Sequence, residues 1–268
     1  MKTDQKYLKL ADKVLTLGEP TDDRTGTGTI SLPHQRLQFN LADEFPIIQS
    51  KKVSFHSIMH ELIWMLKGDK DIDYLRKNKV TIWDEWVDEY GGVGKIYGHN
   101  WRNFGNTCVD QIANLVEDLR NNPKSRRMIV TSWNPTELRY DFVALPPCHC
   151  FFQVTTHGNK INLMLHQRSV DMFLGLPYNI TSYALLMHIL ANETDMEVGL
   201  LTMNFGDCHI YNNHVEQMKL QVSRLNDTPE NITSILIDPF SSVDDIEGDD
   251  ITLQDYNHLP AIKGDVSV

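Results

Sequence analysis

Two strand-like runs, 150–156 and 160–166, meet at His157-Gly158-Asn159, which has the chemistry of a hairpin turn. A long helical pattern follows at 179–193, with Ile180, Ala184, Met187 and Ala191 on one face, and then another strand-like run at 200–205. This succession constrains the fold more than any other stretch. Strands and helices mix without a regular strand–helix beat, which excludes a simple doubly wound sheet. The rest of the chain continues the mixture. Helical spacing appears at 8–17, closed near Gly18 and Pro20, and again at Val109, Ile112, Leu115, Val116 and Leu119, closed by Asn121-Asn122-Pro123. Ser57 can cap a helix carrying Ile58, Met59, Leu62, Ile63, Met65 and Leu66, with Gly68 as its stop. Strand-prone runs lie at 26–39, 128–133 and 232–237, and a further helix at 213–224. The class expected is α/β of the α+β kind. With no linker, repeat or low-complexity block, one domain over 1–268 is expected.

The chain has 268 residues, 41% of them hydrophobic, enough for a sizeable core. No apolar run approaches the ~20 residues of a membrane span. The start, Met1 to Lys6, lacks an apolar segment of the signal-peptide type, so a cytoplasmic protein is expected. The formal charge of −11 argues against bulk nucleic-acid binding. A net acidic chain can still hold a small anion where arginines converge, and Arg24, Arg126, Arg127 and Arg168 are the candidates. Ordinary surface ion pairs are the competing reading for these. The acidic run 244–250 reads as a solvated loop. The four cysteines, Cys108, Cys148, Cys150 and Cys208, match no zinc spacing, and no metal is expected. Cys148 and Cys150 are too close in sequence for an ordinary structural disulfide.

Chemistry concentrates in Leu145-Pro146-Pro147-Cys148-His149. Proline fixes φ, so the loop presents its thiol in a nearly set direction. Twenty residues on, Gln167-Arg168-Ser169-Val170-Asp171 brings a cation, a hydroxyl and a carboxylate. A nearby arginine favours the thiolate, the attacking form. These segments resemble the thymidylate synthase family. So do the run 23–29, His60-Glu61-Leu62-Ile63-Trp64, Ile82-Trp83-Asp84-Glu85-Trp86, Ser125-Arg126-Arg127, the run 173–179, Gly206-Asp207-Cys208-His209-Ile210-Tyr211, and Ile262-Lys263 before a C-terminal valine. The likeness runs from about Leu8 to Val268 in one order.

The resemblance implies a large mixed β-sheet packed against helices, with a homodimer formed through that sheet. It implies reductive methylation of dUMP to dTMP by 5,10-methylenetetrahydrofolate, which serves as carbon and hydride donor and leaves as dihydrofolate. No nicotinamide or flavin is implied. Gly26-Thr27-Gly28 also lacks the strand–helix context of a dinucleotide fingerprint. Cys148 is then the nucleophile, with Cys150 and Cys208 as apolar fill. Arg24, Arg168 and Ser169 hold phosphate from one subunit, and Arg126 and Arg127 reach in from the other. Gln167 joins the dUMP site. Asn179 pairs with O4 and N3–H of uracil, since an amide carries both a donor and an acceptor; a helix cap is its rival role. His209 and Tyr211 hold the sugar hydroxyl. Glu61, in an odd mid-helix place for a carboxylate, relays protons with Tyr97 and His149 in support. Asp171 binds the pterin ring. Ile82, Trp83, Leu174, Gly175, Tyr178 and Ser267 line the folate pocket, Lys51 sits near the folate tail, and Val268 closes over it.

The pattern departs from the family at His166, Tyr178, the stretch 257–260, Ser267 and Gln49-Ser50. No catalytic group is lost. These departures surround the folate and closing segments, so a dUMP hydroxymethylase, which adds water instead of hydride, is the first rival. Trp83 and the C-terminus, which should shield the intermediate, favour methyl transfer. A binder of its own RNA is a rival from another class. The complete set of Cys148, Glu61, Arg168 and Asn179, and the negative charge, speak against it.

Overall fold

The computed structural model describes residues 2–89, 91–138 and 145–267. In chain order the main elements are α1 (Thr3–Leu17), β1 (Glu19–Thr21), β2 (Thr29–Asn40), α2 (Phe55–Lys67), α3 (Asp73–Lys77), α4 (Tyr97–Arg102) and α5 (Gln111–Asn121). There follow β3 (Ile129–Thr131), α6 (Pro135–Leu138), β4 (His149–His157), β5 (Lys160–Asp171), α7 (Gly175–Glu193), β6 (Glu197–Tyr211), α8 (Val215–Ser223), β7 (Ser234–Ile237) and β8 (Ile251–Gln254).

Six strands form one sheet in the order β1-β2-β6-β5-β4-β3, and β7 and β8 form a separate ribbon. The β4–β5 hairpin turns at His157 and Lys160, as its turn residues predict. Helix α7 carries the chain back so that β6 runs parallel to β5, with Leu165 beside Met203 and Gln167 beside Phe205. All other pairs in the sheet are antiparallel, so the sheet is mixed. Alternation sets its two faces. Ile161, Leu163, Leu165 and Gln167 of β5 are buried under the helices, while Met164 on the other face is 36% exposed. Ile129 and Leu200 also stand exposed.

Several local expectations change in the folded chain. Helix α1 begins at Thr3 rather than at 8, because its first residues are tied down. The Glu44 carboxylate accepts from the Thr3 N–H and hydroxyl, and the Asp4 carboxylate accepts from the N–H groups of Gln49 and Ser50. Ser54, not Ser57, caps α2, and its hydroxyl accepts from the Ser57 N–H. Gly68 ends α2 at φ 72°, as expected. Val109 lies outside α5 and is exposed. The strand-prone run 232–237 narrows to β7, with Ile232 exposed. Helix α7 buries almost every side chain from Ile180 to Ala191, not one face alone, because the sheet and α2 enclose it.

The acidic run is not simply a solvated loop. Val243 and Ile246 are buried, Arg102 bridges Asp244 and Asp110, and Lys67 bridges Glu247. Attraction to these cations holds a strap of carboxylates against α2 and α4.

Gly98 marks the tightest contact between α4 and α2. A Cβ there would stand 2.4 Å from the Met65 carbonyl oxygen and 2.7 Å from its Cα. Backbone atoms cannot rotate away, so Gly98→Ala is expected to cost about 1–3 kcal/mol of stability. It should also displace the neighbouring Tyr97 and lower turnover. Denaturant unfolding checks this, and an unchanged midpoint would contradict the close α2–α4 approach.

Candidate active site

The carboxyl ends of β5 and β6, the N-terminal turn of α7 and the middle of α2 surround a cavity of about 430 Å³. Asp171 ends β5 and Tyr211 ends β6, and both line it. Glu61, Ile82, Trp83, Leu174, Gly175, Tyr178, Asn179 and Ser267 complete the expected part of the wall. The structure therefore gathers residues scattered from 61 to 267 around one space. Trp86, Leu145, Gly264 and Val266 also line it, and none of these was singled out from the sequence.

Cys148 does not itself line the cavity; it lies near enough to the lining Asp171 and Tyr211 to interact with their charges, on a loop that Arg168 grips. The Arg168 guanidinium donates from Nε to the Pro147 carbonyl at 2.9 Å and from Nη2 to the Pro146 carbonyl at 2.8 Å. Its backbone N–H donates to the Cys148 carbonyl at 3.0 Å. The same Nη2 lies 3.7 Å from Cys148 Sγ. From the opposite direction, the Tyr97 hydroxyl accepts the Cys148 N–H at 2.8 Å. The prolines contribute acceptors and no donors, so a fork of guanidinium donors meets a row of carbonyls.

The charge state of the thiol differs from the sequence-based expectation. Burial pushes the Cys148 pKa up, and the Arg168 charge opposes this without overcoming it. The resting group is the thiol. Burial likewise pushes His149 down to about 4, with its contact to Asn179 working the other way. His149, packed against the rings of Tyr97 and Tyr183, is neutral at pH 7. Glu61 is pushed up to about 7 by burial, opposed by the Trp83 indole N–H donating to its Oε1 at 2.7 Å. A carboxyl with that pKa can hold or release a proton near neutral pH.

Asn179 lies inside α7, after Gly175, so it does not cap that helix. The wholly buried Gln167 donates from Nε2 to Asn179 Oδ1 at 3.0 Å, which orients the amide. Asp171 accepts from the N–H groups of Phe173 and Leu174 and shapes the turn into α7. Lys51 is not part of the cavity wall. Its ammonium donates to the Phe173 carbonyl and lies 3.5 Å from the centre of the Phe173 ring. Burial lowers its pKa to about 7, with Asp171 opposing.

The strand register brings a second group together. Asp171 stands beside His209 and Ser169 beside Asp207. The Asp207 carboxylate accepts from the Ser169 hydroxyl and pairs with His209 Nδ1 at 2.8 Å, and it also receives the Ser31 hydroxyl. Asp207 is the organiser that the sequence reading quoted but left without a role. Its position two residues before His209 on one strand was the available signal. Arg24 sits on a turn tied by Asp23, whose carboxylate accepts from Thr25 and Gly28, and its guanidinium lies 6.0 Å from the Trp86 ring at the cavity. Arg126 and Arg127 are different. Both are exposed beside β3, away from the cavity wall, and neither forms an ion pair among the described residues.

The tail ahead of the cavity is docked on the turn 212–214 between β6 and α8. Asn213 Nδ2 donates to the Asp265 carbonyl, and His214 Nε2 contacts it at 2.8 Å. Gly264 packs so closely on Phe173 and His214 that a Cβ would lie 2.7 Å from the Phe173 ring. Val268 lies outside the described residues, and so does its expected closing role.

A mixed sheet, a partly buried thiol on a proline-framed loop and a largely apolar cavity edged by Glu61, Asp171 and Asn179 are what the fold brings together here. The chain matches the thymidylate synthase family over residues 5–268, nearly its whole length, and belongs to that family. The family is one of enzymes with a methyltransferase-type reaction that uses methylenetetrahydrofolate. No helix among the described residues is long and apolar enough to cross a membrane.

Glu61 couples the site to stability. Its pKa is raised from an ordinary 4.5 to about 7, so the folded state holds a proton that the unfolded chain has released. Its contribution is full below pH 4.5 and disappears as pH rises through 7. Glu61→Gln is expected to flatten the fall in stability across that window. Unfolding midpoints measured at pH 5 and pH 8 would refute this if both proteins shifted equally.

Proposed function

We propose that residues 1–268 form one catalytic unit that converts dUMP to dTMP, with 5,10-methylenetetrahydrofolate as co-substrate and dihydrofolate as by-product. The observation that carries this reading is that Cys148, held by Arg168 and Tyr97, interacts with Asp171 and Tyr211, which line a cavity also bounded by Asn179 and Glu61. The walls suit a flat heterocycle with an aromatic body, since Trp83, Leu174 and Tyr178 supply apolar surface and Asp171 supplies an acceptor for ring N–H groups.

In this reading Cys148 Sγ adds to C6 of the uracil ring and leaves C5 electron-rich. The thiol must lose its proton first. That proton leaves to water, and the Arg168 guanidinium, 3.7 Å from Sγ, stabilises the thiolate that forms while keeping its loop in place through the proline carbonyls. Asn179 selects uracil. Its Oδ1 keeps a second lone pair for N3–H, and its Nδ2 is the donor suited to O4. The phosphate is held by Arg24, Arg168 and Ser169, and the sugar hydroxyl by His209 and Tyr211. Glu61, with Tyr97 and His149 behind it, holds or moves the proton lost from C5. The folate supplies both the carbon and the hydride. Ile82, Trp83, Asp171, Leu174, Gly175, Tyr178 and Ser267 are its candidate contacts, and Lys51 acts from behind the Asp171 turn.

A homodimer through the open sheet face belongs to the same proposal. Ile129, Met164 and Leu200 stand exposed on that face, and covering them would favour association. Arg126 and Arg127, without an ion pair among the described residues, would then complete the phosphate site of a second copy. The working compartment proposed is the cytoplasm.

Turnover of dUMP with methylenetetrahydrofolate tests the reaction. dTMP should appear one-for-one with dihydrofolate. 5-Hydroxymethyl-dUMP without dihydrofolate would mean a hydroxymethylase instead, with His166, Tyr178 and Ser267 as the places to look. Cys148→Ser should still bind dUMP while turnover falls at least about 10³-fold. Retained turnover would remove Cys148 from the mechanism.

Subunit mixing tests the shared site. Cys148→Ser and Arg126→Ala subunits, each poorly active alone, should regain about a quarter of native activity after random exchange, since half the dimers carry one intact site. No recovery under proven exchange would mean that Arg126 does not serve the active site of a second copy.

A further inference from the structure

Cys150 has a position that apolar filling does not explain. It is only partly buried, unlike Cys208. In the β4–β5 pair, His149 stands opposite Gln167 and Phe151 opposite His166, so Cys150 is the extra residue of a β-bulge. Its carbonyl is held away from β5, where the N–H groups of Ser132 and Trp133 and the Thr131 hydroxyl donate to it. Its side chain leans back along the chain, with Sγ 3.8 Å from the Cys148 carbonyl oxygen. Arg168 serves both thiols, for Nη2 lies 3.7 Å from Cys148 Sγ and the Arg168 backbone N–H faces Cys150.

We propose that Cys150 is a resolving thiol for Cys148, so that peroxide converts the pair into a reversible disulfide instead of destroying the nucleophile. The proposal rests on Cys148 being the reactive thiol of the site. Cys148 directly precedes β4 and Cys150 is its bulged second residue; residues two apart in extended chain have Cα atoms about 6.6 Å apart, near the upper end of the span a disulfide bridges, and a bulge bends the chain at this point.

The chemistry balances with a hydroperoxide as the oxidant. The Cys148 thiol first releases its proton to water; the thiolate attacks the peroxide oxygen, the O–O bond breaks, and the leaving oxygen departs as water or alcohol after taking up a proton. Cys148 is oxidised by two electrons to a sulfenic acid. Cys150 Sγ then attacks that sulfur. The S–S bond forms, the S–O bond breaks, and hydroxide leaves with the Cys150 proton as water. A dithiol reductant restores both thiols by exchange. The remaining cysteines are poor resolvers. Cys208 is fully buried with its Sγ 3.1 Å from Met172 Sδ, and Cys108 lies in the segment leading to α5, outside the gripped loop.

The test uses the full chain and its Cys150→Ala variant, each also carrying Cys108→Ser to remove the exposed thiol. Cys150→Ala should keep its turnover before oxidation. Both proteins are treated with hydrogen peroxide, quenched with catalase, and divided for peptide mass analysis and for assay before and after dithiothreitol. In the chain with Cys150, the peptide holding both cysteines should be lighter by two hydrogens, and dithiothreitol should restore most turnover. In Cys150→Ala the peptide should carry sulfinic or sulfonic oxygen, with at least about tenfold less activity restored. Cys150→Ser serves as a second variant should alanine disturb the bulge. Irreversible oxygen addition in the chain with Cys150, or equal recovery in both proteins, overturns the proposal. Failure of the dUMP reaction would appear in the unoxidised assay, separate from the disulfide read by mass.

Discussion

The grip of Arg168 on the Pro146-Pro147-Cys148 loop is the contact on which the site depends. A guanidinium fork is rigid and keeps its charge, so its two bonds to successive carbonyls set both the position and the direction of the loop. The loop in turn sets where Cys148 Sγ stands, and the sheet sets where Arg168 stands. A lysine could neutralise charge at this place, but it could not hold two carbonyls and a sulfur with one planar group.

The sheet supplies the second constraint. Because α7 crosses over and returns β6 parallel to β5, the carboxyl ends of both strands open at the same edge. Ligand sites of open sheets commonly form there, since loops leave the strands in one direction. The register then does local work. Placing Ser169 beside Asp207 and Asp171 beside His209 joins two segments almost forty residues apart into one polar row. Burial around that edge sets the charge states. Cys148 and Glu61 are pushed towards their protonated forms and His149 towards its neutral form.

Much of this was legible from residues. The hairpin at His157-Gly158-Asn159, the stop at Gly68 and the apolar spacing of α5 all rest on local chemistry, and the fold keeps them. The proline-framed Cys148 and the Gln167-Arg168-Ser169 segment pointed to the site for the same reason. Other features were invisible because long-range partners create them. Ser54 outcompetes Ser57 as a cap through the path the chain takes into α2. The start of α1 depends on Glu44 and Gln49. The acidic run 244–250 looks solvated until Arg102 and Lys67 come beside it.

By itself the sequence determined the reactive groups and their local framing. A thiol between prolines, a guanidinium, an amide after Pro177-Tyr178 and a carboxylate inside an apolar helix are properties of residue type and near neighbours. Tertiary structure decided how those groups behave. It buried Cys148 more strongly than Arg168 could offset, so the resting group is a thiol where proximity alone suggested a thiolate. It took Asn179 off the helix cap and gave its amide to Gln167. It drew Lys51 onto Phe173 and left Arg126 and Arg127 outside the cavity. The reason is common to all four. Desolvation and charge interactions depend on everything packed within a few ångströms, and most of those neighbours are distant in the chain.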